Sequence, residues 1–294
     1  MTKKYLAKES HLDNLGLRAG EYALITGGSQ GLGRAFAEVL ARHAINLILV
    51  ALPASGLAEA ALSLSRQYDV QTRYIETDLA ADGGVEAVAR IITQEKLPVS
   101  VLINNAGTSY NCRFEDSTID ENEACILLNT LAVVKMTHFL LPYLKQCHRA
   151  YILNVSSMAA FFPMPYMPVY APTKAFILNF SLALRQELNH TPVRVSVLCP
   201  NGIRTCRRST DKIKAFGWIG RLTSMEADDV ADYTIQKMLE GQAVIIPGII
   251  NRAIRLVGHY APQAWVYAVV SALYSRTARG GKAKIAPLSS VTGE

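Results

Sequence analysis

Apolar residues along the chain follow two alternating patterns, short β-branched runs and longer stretches with helical spacing. The short runs, such as LILVA and YILNV, are apolar almost throughout, which is typical of strands that helices cover on both faces of a parallel sheet. The longer stretches repeat apolar residues at three- and four-residue intervals, as at Phe176, Ile177, Phe180, Leu184 and Leu188. The alternation predicts βαβ units and an α/β fold with a doubly wound parallel sheet in a single domain.

The same pattern predicts about seven strands, of which one is weak. Two of the intervening helices are expected at residues 32–43 and 176–189. A further amphipathic stretch follows the last strand, over residues 248–276. The expected strands cover residues 22–26, 46–51, 71–76 (the weak one), 101–104, 151–156, 193–198 and 244–247.

Composition limits the class of protein. Half of the 294 residues are hydrophobic and 18% are charged, which is the balance of a globular protein with a large core. The net charge of +6 comes from basic residues that are scattered except near the C-terminus, so no nucleic-acid-binding face is predicted. The six histidines lie far apart and form no H-E-x-x-H motif, and we expect no metal site.

The chain is expected to work in the cytoplasm. Its five cysteines form no C-x-x-C pair and no regular spacing, which favours a reducing compartment. The N-terminal segment MTKKYLAKESHLDN has no apolar run behind its lysines and is unlike a secretory signal. The run closest to a membrane span, residues 261–274, is shorter than the ~20 residues of a spanning helix. We therefore predict no transmembrane segment.

A glycine-rich turn, TGGSQGLG, follows the first predicted strand. Gly27, Gly31 and Gly33 let the backbone approach a pyrophosphate group, and the helix that begins near Leu32 offers free N–H groups and a partial positive charge. A glycine turn can also merely pack a strand against a helix. Its place in the first βα unit favours a phosphate-bearing cofactor.

The spacing G-x-x-x-G-x-G, with Thr26 before it, resembles the cofactor turn of the short-chain dehydrogenase/reductase family, and the resemblance extends over residues 21–247. Asp78-Leu79 is similar to the family's adenine-binding position, and Asn104-Asn105-Ala106-Gly107 to its N-N-A-G turn. The resemblance implies a Rossmann-type fold that binds NADP or NAD. The residues implied in cofactor binding are Thr26, Gly27, Ser29, Gln30, Gly31, Leu32, Gly33, Asp78, Leu79, Asn105, Ala106, Gly107, Tyr170, Lys174, Pro200, Gly202, Ile203 and Thr205.

The sequence leaves the choice between the two cofactors open. Dinucleotide enzymes usually select about 20 residues past the glycines, where an acid binds the ribose 2′-hydroxyl or an Arg binds a 2′-phosphate. This chain has Ala51-Leu52-Pro53 there, with neither an acid nor an Arg. The missing carboxylate removes a repulsion and Ser29 can donate to a phosphate, which favours NADP slightly.

Tyr170 and Lys174 are four residues apart and therefore on one face of a helix. Pro172 between them suits only the first turn of a helix, so the helix is predicted to start here. A nearby ammonium lowers the pKa of a phenol from its usual ~10. Such a pair is usually an ordinary solvated helix face. The difference here is the segment Asn154-Val155-Ser156-Ser157 at the end of the fifth strand, at the edge where open parallel sheets form sites.

The family resemblance implies catalytic roles for four residues. Ser157 would bind the substrate oxygen, and Asn129 would help hold a water near Lys174. Tyr170 would exchange a proton with that oxygen while the nicotinamide exchanges a hydride with the carbon. Ser156 is left to strand-end hydrogen bonding. The predicted function is an NAD(P)-dependent oxidoreductase that interconverts a carbonyl and an alcohol.

The resemblance also divides the chain into a catalytic domain, residues 1–250, and a C-terminal amphipathic extension with a mobile tail, residues 251–294. A substrate lid is implied at about residues 203–225, after a nicotinamide-side turn that has Asn201 where glycine is usual. The apolar segments after Ser157 and in the lid suit a lipophilic ketone or alcohol, although core or dimer packing explains them equally well. Their large apolar side chains are Phe161, Phe162, Met164, Tyr166, Met167, Phe216, Trp218 and Ile219.

Two other hypotheses remain. The chain could be a catalytically silent protein that senses the redox state of the cofactor, although the intact set Tyr170, Lys174, Ser157 and Asn129 argues against it. It could also be a membrane-peripheral interaction protein, because the extension carries arginines and aromatic residues. We favour packing of the extension on the substrate lobe or on a second subunit of a homodimer or homotetramer.

Overall fold

The computed structural model describes residues 17–18, 20–205 and 217–278. Cys206, Phe216, the predicted mobile tail beyond residue 278 and much of the predicted lid lie outside the described residues. The segment before Leu17 lies outside them too, and the side chain of Ile219 is not described. The central sheet and all the predicted catalytic residues fall within the described part.

A parallel sheet of seven strands forms the centre of the fold. In chain order the strands are β1 (Tyr22–Thr26), β2 (Asn46–Ala51), β3 (Thr72–Glu76), β4 (Val99–Asn104), β5 (Ala150–Val155), β6 (Val193–Leu198), β7 (Ile203–Arg204), β8 (Met225–Glu226) and β9 (Val244–Ile245). The order across the sheet is β3-β2-β1-β4-β5-β6-β9, while β7 and β8 pair separately. The winding reverses between β1 and β4, which confirms the predicted doubly wound topology.

Helices lie on both faces of this sheet. They are α1 (Gly31–Arg42), α2 (Leu57–Tyr68), α3 (Gly84–Glu95), α4 (Ile119–Ile126), α5 (Ala132–Leu144), α6 (Tyr170–Glu187), α7 (Gly217–Thr223), α8 (Ala227–Leu239), α9 (Ile249–Tyr260) and α10 (Gln263–Ala278). A π-helical turn, Leu127–Leu131, joins α4 to α5 in one continuous helix. Helices α1 and α8 pack together on one side of the sheet, and α3 and α5 pack together on the other.

The core has two halves because successive residues of a strand point to opposite faces. Ile25 belongs to the cluster that includes Phe36 of α1, whereas Leu24 belongs to the cluster that includes Met136 of α5. All six positions of β4 are buried. Near-continuous apolar runs such as LILVA are therefore explained by helices on both faces.

The structure moves several predicted boundaries. β4 begins at Val99 rather than at residue 101, β5 ends at Val155, and β9 stops at Ile245. The helix predicted over residues 176–189 is α6, which begins at Tyr170, as the placement of Pro172 requires. The weak strand is β3 at the edge of the sheet, where only Ile75 of its five residues is buried. An edge strand is covered less than a central strand, which accounts for its weak apolar pattern.

The prediction that residues 261–274 come closest to a membrane span is wrong. The continuous helix Ile119–Leu144 has 26 residues, and its most apolar stretch of 18 residues has a mean hydropathy of 1.7, which by length and composition alone is enough to cross a membrane. Its residues Met136, Leu140 and Leu144 are buried in the core beside the sheet. A helix that covers a parallel sheet can be as long and as apolar as a membrane-spanning helix. Packing against the sheet accounts for the apolar face of Ile119–Leu144.

Candidate active site

The glycine-rich turn between β1 and α1 is fixed to the loop after β4. The Oγ1 of Thr26 accepts hydrogen bonds from the backbone N–H groups of Asn105 and Ala106, both at 2.9 Å. The side-chain amide of Asn105 donates to the backbone oxygen of Thr26 at 2.9 Å. The side chains of Thr26 and Asn105, predicted to contact the cofactor, are thus engaged within the protein, and they hold the turn at the point where the sheet winding reverses.

Two positions of this turn require glycine. At Gly33 a side chain would have no room, and at Gly31 the backbone is left-handed. A Cβ on Gly33 would lie 2.1 Å from the backbone oxygen of Gly27 and 2.6 Å from Nδ2 of Asn105. Gly31 has a φ of +59°, and a Cβ there would lie 3.2 Å from the Cβ of Thr205. Only glycine fits both conditions without rearrangement. The loop after β6 therefore closes over the turn through Thr205.

The N-terminus of α1 is open to an anion. Gln30 at the N-cap makes no side-chain hydrogen bond to the first turn, and that turn holds no acidic residue. The first N–H groups of a helix have no partner within it and carry a partial positive charge. Ser29, Gln30 and Leu32 surround this terminus, so the cradle suits a phosphate group.

The remaining residues predicted for cofactor binding follow other strands at the same edge of the sheet. Asp78 and Leu79 come after β3, and the carboxylate of Asp78 accepts from the N–H of Ala80 at 2.9 Å. Residues 200–205 come after β6 and include β7. Asn201, which replaces the usual glycine, donates from its amide to Asn251 Oδ1 of α9 at 3.1 Å. The C-terminal extension is thereby joined to this turn.

Tyr170 and Lys174 lie in the first two turns of α6, as predicted. Tyr170 is the first residue of α6, and Lys174 Nζ lies 5.7 Å from the centre of the Tyr170 ring. Lys174 is 5% exposed, and its Nζ donates to the backbone oxygen of Val155 at 2.9 Å. The ammonium is therefore fixed between the end of β5 and the phenol ring.

Burial controls the protonation of this pair. It raises the pKa of Tyr170, and a hydrogen bond from Ser157 opposes the rise. It lowers the pKa of Lys174 from 10.5 to about 8. The prediction that the ammonium brings the phenol pKa down is therefore wrong for the protein by itself, because burial has the larger effect. A phenol with a raised pKa keeps its proton at neutral pH and can serve as an acid.

The two serines at the end of β5 have different environments. Ser156 is buried, and its hydroxyl donates to the backbone oxygen of Lys174 at 2.7 Å, which ties β5 to α6. Ser157 caps the short 3₁₀ turn Met158–Phe161 by accepting from the N–H of Ala159 at 3.1 Å. Ser157 also lies close enough to Tyr170 to lower the pKa of the phenol against the effect of burial. The structure thus brings Ser157 and Tyr170 together and leaves Ser156 in the strand-end position predicted for it.

Asn129 lies behind Lys174 in the π-helical turn Leu127–Leu131 and is 1% exposed. Its Oδ1 accepts from Thr108 N at 2.9 Å, and its Nδ2 donates to the backbone oxygen of Thr108 at 2.9 Å and to Thr173 Oγ1 at 3.1 Å. A Cβ on Gly107 would lie 3.0 Å from Asn129 Oδ1 and 3.3 Å from Lys174 Nζ. π-Helical turns inside α-helices occur frequently at functional sites. The side-chain amide of Asn129 is thus satisfied by protein groups.

A cavity lies next to Tyr170, and the sequence analysis predicted the residues on only one of its two sides. Tyr166 and Met167 form the expected side, and Tyr166 adopts a left-handed φ of +66° with its backbone oxygen bonded to Cys112 N at 3.0 Å. The other side comes from the loop and helix after the N-N-A-G turn. The sequence offered one indication of these residues, which is that they lie along the chain between that turn and Asn129. They are Tyr110, Cys112, Phe114, Ser117, Asn122 and Cys125.

Other aromatic residues expected near the substrate pack elsewhere. Phe161 and Phe162 pack against a core cluster that includes Ile177 and Val197. Arg255 of α9 lies over the Phe161 ring, with 5.1 Å between its guanidinium carbon and the ring centre. Trp218 is 73% exposed on α7. Packing, the alternative explanation for this apolar segment, thus accounts for Phe161 and Phe162.

We expect Lys174→Met to stabilise the fold at neutral pH. A pKa lowered to about 8 means that the folded state holds the ammonium at a cost of about 3 kcal/mol at pH 7. Loss of the hydrogen bond to Val155 offsets part of this, so the net gain should be about 1 kcal/mol. The free energy of unfolding of the wild-type protein rises as the pH increases from about 8, the pKa of Lys174 in the folded state, to 10.5, its usual pKa. In that range the unfolded state binds the proton that the folded state has released.

Urea unfolding at pH 7 and again above pH 10 measures both effects. The gain in free energy of unfolding should be present at pH 7 and absent at the higher pH. Lys135→Met is the matched control, since Lys135 Nζ lies 2.9 Å from a Glu86 carboxylate oxygen on the protein surface and its removal should give no gain. A Lys174→Met variant that is less stable than wild type at pH 7 would contradict the assigned burial cost.

Comparison with known proteins shows the family. The model of the short chain dehydrogenase family matches residues 21–214, so the chain belongs to this family. Rat very-long-chain 3-oxoacyl-CoA reductase is 31% identical over 195 residues, which are 65% of this chain and 62% of that protein. The match therefore spans about three fifths of the length of this relative.

Solved structures agree on the fold. A short-chain dehydrogenase from Sphingobium yanoikuyae in complex with NADPH has a TM-score of 0.69 and 28% identity, over 83% of this chain and 97% of that one. A structure from work on 7beta-hydroxysteroid dehydrogenase stereoselectivity has a TM-score of 0.78 and 23% identity, over 86% of this chain and 97% of that one. The predicted Rossmann-type α/β fold is confirmed.

Proposed function

We propose that this protein is an NAD(P)-dependent oxidoreductase that reduces a carbonyl to an alcohol, or the reverse, on a lipophilic small molecule. One observation carries the proposal. Tyr170, with Ser157 beside it and the buried Lys174 behind it, lies at the edge of the sheet where the glycine cradle opens. An acid and a charge placed beside a dinucleotide site are the parts that hydride transfer to a carbonyl needs.

The residues of the cradle fit a nicotinamide dinucleotide. The open N-terminus of α1 and the closely approached Gly33 suit its pyrophosphate, because a Cβ would fill the space that the backbone leaves. Asp78 and Leu79 would contact the adenosine, Asn105, Ala106 and Gly107 the adjoining ribose and ring, and Pro200, Gly202, Ile203 and Thr205 the nicotinamide side. The cofactor supplies the hydride when it is bound. The Sphingobium yanoikuyae relative is a complex with NADPH, and the absence of a carboxylate at residues 51–53 also favours NADP.

The protein's own residues carry the proton. In the reducing direction Ser157 donates a hydrogen bond to the carbonyl oxygen, and the Tyr170 hydroxyl gives its proton to that oxygen as the carbon accepts the hydride. The raised pKa of Tyr170 keeps this proton in place at neutral pH. The ammonium of Lys174 then stabilises the phenolate. Asn129 orders the loop of Thr108 behind the lysine.

The substrate is proposed to be lipophilic. The cavity beside Tyr170 is lined by apolar and aromatic groups such as Tyr110, Phe114 and Met167. The rat relative is by its name a reductase of very-long-chain 3-oxoacyl-CoA, a molecule with a long apolar chain. In this structure the cavity has a volume of about 10 Å³, which is room for about one water molecule, so the cavity must widen before such a substrate can bind with its reacting carbon beside Tyr170.

A panel of lipophilic ketones and alcohols, each assayed with NADPH, NADH and the oxidised forms, tests the function. We expect cofactor oxidation with at least one ketone and faster turnover with NADPH than with NADH. Cofactor binding without turnover of any member would favour the silent sensor and contradict the proposal. Nothing in the geometry of the described residues favours that alternative, because the Tyr170, Lys174 and Ser157 set is complete.

We further propose a homodimer in a reducing, cytoplasmic compartment. The long helices α4 to α6 expose apolar side chains, among them Ile126, Leu131 and Phe176. A face of this kind suits a two-fold contact in which the same surface is used by both copies. The four described cysteines are free thiols, as expected under reducing conditions. Light scattering of the purified chain measures the oligomeric state.

A further inference from the structure

The helices α9 and α10 carry an uncovered apolar surface. Tyr260 is 78% exposed and Trp265 is 71% exposed, values that are unusual for large aromatic side chains. Contiguous apolar surface on a protein normally marks a place where something binds. We call the following exposed residues the C-terminal apolar surface: Ile249, Leu256, Val257, Tyr260, Trp265, Tyr267 and Val269.

The α9 part of this surface is firmly attached to the catalytic body. Asn251, which is 3% exposed, donates to the backbone oxygens of Pro247 at 2.9 Å and Thr223 at 3.1 Å. Gly258 packs against Phe162, where a Cβ would lie 2.3 Å from a ring carbon. The inner side of α9 thus faces the 3₁₀ turn that follows Ser157, while its outer side is exposed.

The sequence of the C-terminal region carries charge of nearly one sign. The sequence after Glu240 contains six basic residues and, until Glu294 at its end, no acidic residue. That region accounts for five of the six net positive charges of the chain. Arg252 and Arg255 lie on α9 itself and are exposed, although Arg252 donates to the Tyr233 hydroxyl and Arg255 lies over the Phe161 ring. The partner of this surface must therefore offer both an apolar interior and negative charge.

These properties fit an anionic lipid bilayer better than a second copy of the chain. In a two-fold contact each residue of the surface would meet the same surface of the partner copy, so the positive charges would face one another. Tryptophan, tyrosine and arginine at the border of an apolar face are typical of helices that lie in a membrane interface.

We propose that α9 and α10 form a docking surface for the headgroup region of an anionic bilayer, with the C-terminal apolar surface inserted among the lipids and Arg252 and Arg255 of α9 near the headgroups. Docking places the membrane on the outer side of α9, whose inner side packs on the turn that follows Ser157. The bilayer would then hold a lipid-soluble carbonyl compound one helix away from that turn, a consequence that rests on the proposed function.

Vesicle flotation of the full chain tests the docking surface without any assay of turnover. The chain should float with vesicles of phosphatidylcholine and phosphatidylglycerol, far less with phosphatidylcholine alone, and less in high salt. The double variant Val257→Ser and Trp265→Ser should reduce partition at least about tenfold, because two apolar side chains no longer enter the lipid. The matched control is Leu62→Ser with Tyr74→Ser, at side chains 53% and 50% exposed on α2 and β3, which should float like wild type.

Three results would overturn this proposal: no flotation with the anionic vesicles, equal flotation of the double variant and wild type, or an oligomer in solution that the double variant dissociates. NADPH binding by the double variant shows that it is folded. Turnover of a water-soluble ketone without vesicles is measured alongside. Failure of flotation with intact turnover refutes the docking surface alone, and failure of turnover with intact flotation refutes the proposed function alone.

Discussion

Tyr170→Phe should lower kcat for carbonyl reduction by about 10³-fold and leave cofactor affinity almost unchanged. The substitution removes one hydroxyl from the start of α6 and keeps the ring that packs near Lys174. The proton for the product oxygen would then have to come from water, without the position and the charge that the site provides. Steady-state kinetics with the best ketone of the panel, together with a binding titration of NADPH, measure both quantities.

Tyr110→Phe is the matched control for this variant. Tyr110 lines the same cavity, and no proton transfer is assigned to it. We expect its kcat to stay within about tenfold of wild type, since only contacts to the substrate change. If Tyr170→Phe turned over as fast as Tyr110→Phe, Tyr170 would not be the acid.

Gly33→Ala should weaken cofactor binding by about 100-fold or more. The added Cβ would lie 2.1 Å from the backbone oxygen of Gly27, a distance that real structures do not tolerate, so the turn must move. Overpacking of this kind typically costs about 1–3 kcal/mol, and about 3 kcal/mol corresponds to ~100-fold in affinity when the moved groups are those that hold the ligand. Calorimetric titration with NADPH gives the affinity, and urea unfolding gives the loss of stability.

Gly83→Ala separates the clash from the general cost of replacing a glycine. Gly83 precedes α3, has a φ of +77° and would place its Cβ in open space. The strained backbone should cost about 1 kcal/mol of stability, with no change in cofactor affinity. Equal NADPH affinity of Gly33→Ala and wild type would show that the turn is not the pyrophosphate site.

The sequence predicted the fold almost completely because the physical signal was strong. The apolar runs of β1, β2, β5 and β6 are covered on both faces, and no other common architecture produces such strands between helices. Boundaries were less certain. β9 contributes only Val244 and Ile245 to the sheet, and its end is set by tertiary contacts that a local pattern does not contain.

Parts of the site could not be predicted, for reasons that differ between residues. The engagement of Thr26 and Asn105 with each other joins positions 79 residues apart, which no local pattern records. The π-helical turn around Asn129 and the cavity wall formed by Tyr110 and Cys125 likewise depend on long-range packing. The predicted shift of the Tyr170 pKa had the wrong direction, because the sequence showed the nearby ammonium and did not show the depth of burial.

Hydride transfer itself is tested most directly with reduced cofactor that carries deuterium at its transferable position. The account predicts that wild-type protein yields an alcohol with one deuterium on the former carbonyl carbon, and that Tyr170→Phe, with cofactor bound, yields almost none in the same time. An alcohol product without deuterium, or a full yield of labelled alcohol from Tyr170→Phe, would contradict it.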